Sequence, residues 1–188
     1  MIPSLTSLDV VNRALTEIAQ GVPLASGTVG TDFDGSPNGI YAAALYQGAV
    51  QMLLRQQDYE FARDVVPLVT GGTSGLPGSP FSYVYPTNAV RIRTLLPNNL
   101  NILDPQPVRW SVYFSNGVEC VCSNQLSYAA VITTNDVTEG DWDDSFTEAM
   151  VRYLGSQLAI PVAGRPDFSE KMLDWAGKVS GSDMDRDS

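Results

Sequence analysis

The chain has 188 residues, 44% of them hydrophobic, with 21 acidic against 11 basic residues, a formal charge of −10 and no histidine. Such a length fits one decorated domain or two very small ones, and the apolar content suffices for a packed core, which excludes a disordered tail. The acidic excess repels nucleic acid and anionic membranes. The missing histidine removes the commonest general base, the commonest metal ligand and every Ser–His or Cys–His pair, which argues against an enzyme.

The first residues, Met1-Ile2-Pro3-Ser4, carry neither a basic region nor an apolar run of signal-peptide length, so the expectation is a soluble protein made in the cytoplasm. Residues 6–20 read as a helix. Thr6 and Asp9 have capping-box spacing, Leu8, Val11, Leu15 and Ile18 recur three and four apart, and Gly21 is a natural stop. A Gly-, Ser- and Asp-rich loop then leads to Ser36-Pro37, an N-cap followed by proline at the first helical position. A second helix follows over 37–58. Its small residues Ala42, Ala43, Ala44, Gly48 and Ala49 allow another helix to approach, and Leu45, Met52 and Leu53 are expected in the core. It runs out through Tyr59 and Phe61 into the strand-like Val65-Val66-Pro67-Leu68.

The stretch TGGTSGLPGSP (70–80) reads as a surface loop. From about 82 the period becomes two: Val90 and Ile92 alternate with Arg91 and Arg93, as on a half-buried strand. In WSVYFSNGVECVC, Asn116-Gly117 between two alternating runs signals a hairpin, because both turn positions favour positive φ. LSYAAVITT (126–134) supplies a further strand. Cys120 and Cys122 share one face of their strand and read as small buried apolar residues, since neighbours so placed do not bridge. Helix resumes at 145, with Ser145 and Glu148 as a capping-box pair and Phe146, Met150, Tyr153, Leu154 and Leu158 as its stripe, up to Pro161. Pro166 opens a last short helix with Phe168, Met172, Leu173 and Trp175 on its apolar side, and residues 179–188 read as a flexible tail.

The predicted fold is therefore mainly α: a helical bundle of about four helices from 6–62 and 145–178, with an inserted antiparallel β region over about 82–134. Candidate chemistry is sparse. GTDFDGSPNGIY (30–41) has the acids of a calcium loop, but Gly30 and Tyr41 stand where its first and last ligands belong. Asp136, Glu139, Asp141, Asp143, Asp144 and Glu148 form an acidic run that favours a helix N-terminus, and it offers the one conceivable metal-dependent hydrolase site. The glycines at 71, 72, 75 and 78 lack the Gly-Lys-Ser/Thr of a phosphate loop, and Arg91 with Arg93 is too small a basic patch for specific nucleic-acid binding. No catalytic residue, cofactor or metal is expected.

Several stretches, in order, resemble the head-to-tail adaptor proteins of tailed bacteriophages, the tail tubular protein A type. They are RALTEIAQG (13–21), the TDFDGSPNGIYAAALYQGAVQMLL loop and helix, DYEFA (58–62), FSYVYPTNAVRIRTL (81–95) and FTEAMVRYLGSQLAIPVAG (146–164). Tyr59 stands where the family has tryptophan, and the leucine before the proline of the strand motif is missing. The resemblance covers roughly residues 6–175 and implies a virion protein of the head–tail junction. About twelve copies would ring the channel below the portal, docking the tail, nozzle or stopper protein while genomic DNA passes without specific binding. By the same analogy Trp175, Lys178, Met184 and Arg186 are portal-contact candidates. Tyr59, Phe61, Phe146 and Leu158 are expected in the structural core, each buried aromatic contributing about 1.5–3 kcal/mol. Charge accumulating to roughly −120 in such a ring disfavours spontaneous closure, so the free chain is expected as a monomer or weak associate. The alternatives are another virion ring such as a stopper or tail-completion protein, expected to be β-dominated, and the metal-dependent hydrolase.

Overall fold

The computed structural model describes residues 5–18, 27–28, 33–73, 76–98, 107–115 and 117–181. It divides into a helical unit, Met1–Phe61 with Val137–Ser188, and a β unit, Ala62–Asp136.

In the helical unit, α1 (Ser7–Glu17) begins where the sequence predicts. Asp9 donates its backbone N–H to Thr6 Oγ1 at 3.2 Å, and Asp9 Oδ2 accepts from Thr6 N at 3.0 Å. Gly21, its expected stop, lies outside the described residues. Helix α2 (Pro37–Gln56) is capped by Ser36, whose Oγ accepts from Gly39 N at 3.1 Å. It buries Ala42, Tyr46, Ala49, Val50, Leu53 and Leu54, whereas Met52, expected in the core, is exposed, as are Ala44 and Gly48.

Helix α3 (Asp144–Ala163) is the centre of the unit, packing against α1, α2 and α4 (Pro166–Gly181). Its cap is not the expected Ser145: Asp143 Oδ1 accepts from Phe146 N at 2.6 Å, and Glu148 turns to arginines instead of the backbone. Nor does Pro161 end it. The helix continues to Ala163 and stops at Gly164 (φ 62°), where Arg165 N donates to Ala159 O at 3.0 Å. Near a C-terminus, proline removes one intrahelical bond only, and the left-handed turn that glycine permits makes the stop. Ser169 Oγ donates to Ser156 O at 2.8 Å, tying α4 to α3. On α4 Met172 and Ala176 are buried and Phe168 half-buried, but Leu173 and Trp175, expected on the apolar side, are exposed. The helix also runs to Gly181, into the predicted tail.

The core of the unit is aromatic at one end. Phe146 is fully buried, with ring centroids of Tyr59, Phe61 and Trp142 at 4.8, 5.1 and 4.8 Å, all steeply inclined to it. Tyr59 and Leu158 are buried as expected, and Phe61 is half-buried. The two aromatics after α2 thus pin the end of that helix onto the first turn of α3.

The mainly-α expectation is overturned in the β unit. Among the described residues it holds seven strands in two antiparallel sheets, so the chain is α+β. One sheet has the order β1 (Arg63–Pro67), β7 (Ser127–Thr134), β4 (Ala89–Pro97). The other runs β2 (Thr70–Thr73), β3 (Phe81–Val84), β6 (Val118–Ser123), β5 (Trp110–Ser115). Strand structure therefore starts at Arg63, well before residue 82, and part of the predicted glycine-rich loop is β2. These two strands are short and charged or glycine-rich, and only their partners, β7 and β3, make them strands. Tyr83 and Val121 from one sheet pack with Ile92, Leu95, Ala130 and Ile132 from the other. Ser127 N–H crosses between them to Tyr83 Oη at 2.7 Å.

The predicted hairpin joins β5 and β6, with Ser115 opposite Val118 and Gly117 at φ 80°, while Asn116 lies outside the described residues. The alternation along β4 does not hold. Register shifts around Val90 and Arg93 break the period, so Ile92 and Leu95 are the buried pair, and Arg93 reaches Thr133 Oγ1 at 2.9 Å. Cys120 and Cys122 are buried free thiols, with Cys122 Sγ 3.0 Å from Ser111 Oγ.

Candidate functional site

Most of the acidic residues of 136–148 are tied to a neighbouring side chain or backbone group. Asp136 accepts from Asn88 within the β unit at 3.4 Å. In the helical unit, Tyr46 Oη donates to Glu139 at 3.0 Å; burial first, then the Glu139 carboxylate, hold that phenol protonated far above its usual range. Asp141 takes the Thr138 N–H and hydroxyl, which lower its pKa, and Asp143 caps α3. Asp34 in the calcium-like stretch accepts from Ser36 N at 3.0 Å, while Gly30 and Asp32 fall outside the described residues. Among the described residues, no group of three acidic or cysteine side chains is placed to hold a metal ion.

Among the described residues, a charged cluster is assembled where α1, α3 and α4 meet. Glu148 on α3 accepts from Arg13 on α1 at 3.0 Å and, through its other oxygen, from Arg152 Nε at 2.8 Å. Arg152 sits one turn further along α3, the spacing at which opposite charges face each other on a helix. Clamped by that carboxylate, the Arg152 guanidinium lies 4.9 Å from the ring centroid of Trp175 on α4. Trp175 is nevertheless 48% exposed. An indole backed by a salt-bridged arginine, half of it in water, has the residue types of a protein-binding anchor.

Of the other portal-contact candidates, Lys178 falls near the end of α4, and Met184 and Arg186 lie outside the described residues. Glu148 and Arg152 went unrecognised as a pair because Glu148 also fits a capping box. Their four-residue spacing was the available signal; nothing in the sequence joins Arg13 to them.

Glu17 lies next to this network. Its pKa is raised, first by burial and second by Glu148, against the opposing pull of Arg152 and Arg13. A raised folded-state pKa means the native chain binds the proton more tightly, so this group's contribution to stability falls as pH rises above the ordinary carboxylate value. Glu17→Gln is therefore expected to raise the neutral-pH melting temperature, with the gain vanishing near pH 4. Thermal denaturation at both pH values measures it, and an equal effect at both would exclude Glu17 titration as the cause.

No protein-family model matches the chain, and no curated protein matches it. Among the described residues, no helix is long and apolar enough to cross a membrane.

Proposed function

We propose that this protein is a structural head-to-tail adaptor of a tailed-phage virion: a ring subunit below the portal that extends the DNA channel and docks the tail or nozzle. The observation that carries the reading is Trp175, presented by Arg152, Glu148 and Arg13 on the helix whose C-terminal end bears Lys178 and leads to Met184 and Arg186. Ring subunits need two different faces, one for each neighbour. On α2, Ile40 and Tyr41 in the first turn and Met52 three turns further along are each more than 40% exposed. The charge distribution also fits a channel that lets DNA slide. Residues 62–136 balance four arginines against four acids, so the whole −10 belongs to the helical unit.

The test mixes the purified chain with its candidate portal and images the product by electron microscopy, with binding measured in parallel. Trp175→Ala, and separately deletion of 182–188, which leaves α4 whole, should weaken portal binding at least tenfold, about 1.4 kcal/mol, with little change in the melting temperature of the free subunit. Undiminished binding by both variants would remove the C-terminal helix from the contact. A divalent-dependent hydrolase activity abolished by Asp141, Asp143 and Asp144 together becoming asparagine would overturn the reading.

The seven-strand β unit gives weight to the neighbouring possibility, a stopper or tail-completion ring. Such a protein would bind the assembled portal–adaptor complex and not the portal alone, so the same mixing experiment separates the two.

A further inference from the structure

Strand β5 is an edge of the four-stranded sheet, and among the described residues nothing pairs with its outer side. The other described edges are blunted in the usual ways. β1 carries Arg63 and Asp64 and closes on Pro67; β4 carries Arg91 and Arg93, shifts register three times and ends on Pro97; β2 is four residues long with a register shift. β5 has none of these devices. It reads Trp-Ser-Val-Tyr-Phe-Ser, without charge or proline, and pairs with β6 in unbroken register from Trp110–Ser123 to Ser115–Val118.

The backbone of Arg109 sets which groups face outward. Asn124 N–H donates to Arg109 C=O at 3.1 Å, so residues 109, 111, 113 and 115 turn their polar groups toward β6. Trp110, Val112 and Phe114 therefore turn theirs to the open edge. The same three side chains lie on the sheet face that carries Val121 and Tyr83 into the core. Trp110 packs against that core, but Val112 is 40% and Phe114 74% exposed. An apolar row starts in the core and continues into water.

We propose that β5 is a strand-addition surface for a second copy of this chain, two β5 strands pairing antiparallel about a two-fold axis to join their sheets. Self-complementarity favours a second copy over a different partner: a pair centred on Val112 sets Trp110 opposite Phe114 of the other copy and Val112 opposite itself, apolar against apolar at every inward position. Charge favours it too. Arg63, Arg91, Arg93 and Arg109 balance Asp64, Asp104, Glu119 and Asp136, so two β units meet without net repulsion. The strand is only about 20 Å long, and its pairing covers far less than the roughly 800 Å² per partner of a stable interface, so the dimer is weak and reversible. This pairing does not depend on the adaptor reading.

Sedimentation velocity of the full chain over a concentration series tests it. The wild type should pass reversibly from monomer to dimer, and Val112→Lys should remain monomeric with an unchanged circular dichroism spectrum. Val112→Cys should be joined between copies by a short bifunctional thiol cross-linker, because Cα atoms of a directly opposed, hydrogen-bonded pair lie about 5.5 Å apart. Thr94→Cys, exposed on the other sheet, is the control and should not cross-link. The cysteine arm stands even if Val112→Lys fails to fold. A wild type that stays monomeric throughout, or a dimer in which Val112→Cys cross-links no better than Thr94→Cys, would overturn the proposal.

Discussion

Phe146→Ala is expected to cost the helical unit about 3–5 kcal/mol, the range for emptying a fully buried phenylalanine site. Phe146 has no exposed surface, and it is the hub that Tyr59, Phe61 and Trp142 all touch edge-on. Truncation removes the transfer energy of the ring and three inclined aromatic contacts, and it leaves a cavity that three rigid neighbours cannot collapse into. Phe61→Ala should cost less than Phe146→Ala, because Phe61 already keeps part of its surface in water. Urea denaturation followed by tryptophan fluorescence measures both, with Trp142 4.8 Å from Phe146 as the reporter. If Phe61→Ala proves the more damaging, the centre of the aromatic cluster is misassigned.

Gly155→Leu should destabilise the same unit by about 3 kcal/mol, the upper end of the usual range for overpacking. On the buried side of α3, a Cβ at Gly155 would lie 2.7 Å from Met172 Cε and 3.7 Å from both Ala14 O and Ile18 Cγ2. Gly155→Ala asks only the flexible tip of Met172 to move, and alanine is favoured over glycine in a helix by about 1 kcal/mol, so that variant should be close to neutral. Leucine adds three more carbons that have to displace α1 or α4. Since α4 carries Trp175, the leucine variant should also loosen the indole from Arg152, visible as a red shift of its emission in a background where Trp110 and Trp142 are both replaced by phenylalanine. Equal stability of the leucine and alanine variants would mean that the three helices leave a void at Gly155.

Much of the helical unit was legible without coordinates, because local chemistry decides it. Thr6 with Asp9 and Ser36 before Pro37 satisfy the first backbone N–H groups of α1 and α2 whatever packs against them, and Asn116-Gly117 favours its turn before any strand pairs. The core position of Tyr59 at the α2 exit was likewise readable, while Phe61, expected beside it in the core, is only half-buried. Ser145 was misread as a cap because Asp143 and Asp144, two further capping candidates, precede it, and only the approach of Phe146 N to Asp143 chooses between them. Within residues 63–73 only Val65-Val66-Pro67-Leu68 reads as strand-like; charge, proline and glycine mask the extent of two strands that exist through long-range pairing with β7 and β3. The register shifts of β4 belong to its fit against β7, so the face each arginine takes cannot be counted from the sequence. The same holds for the surface. A tryptophan at a helical spacing reads as core, and only the packing of α3 against α1 and α4 places Arg152 beneath Trp175 and leaves the other half of the indole in water.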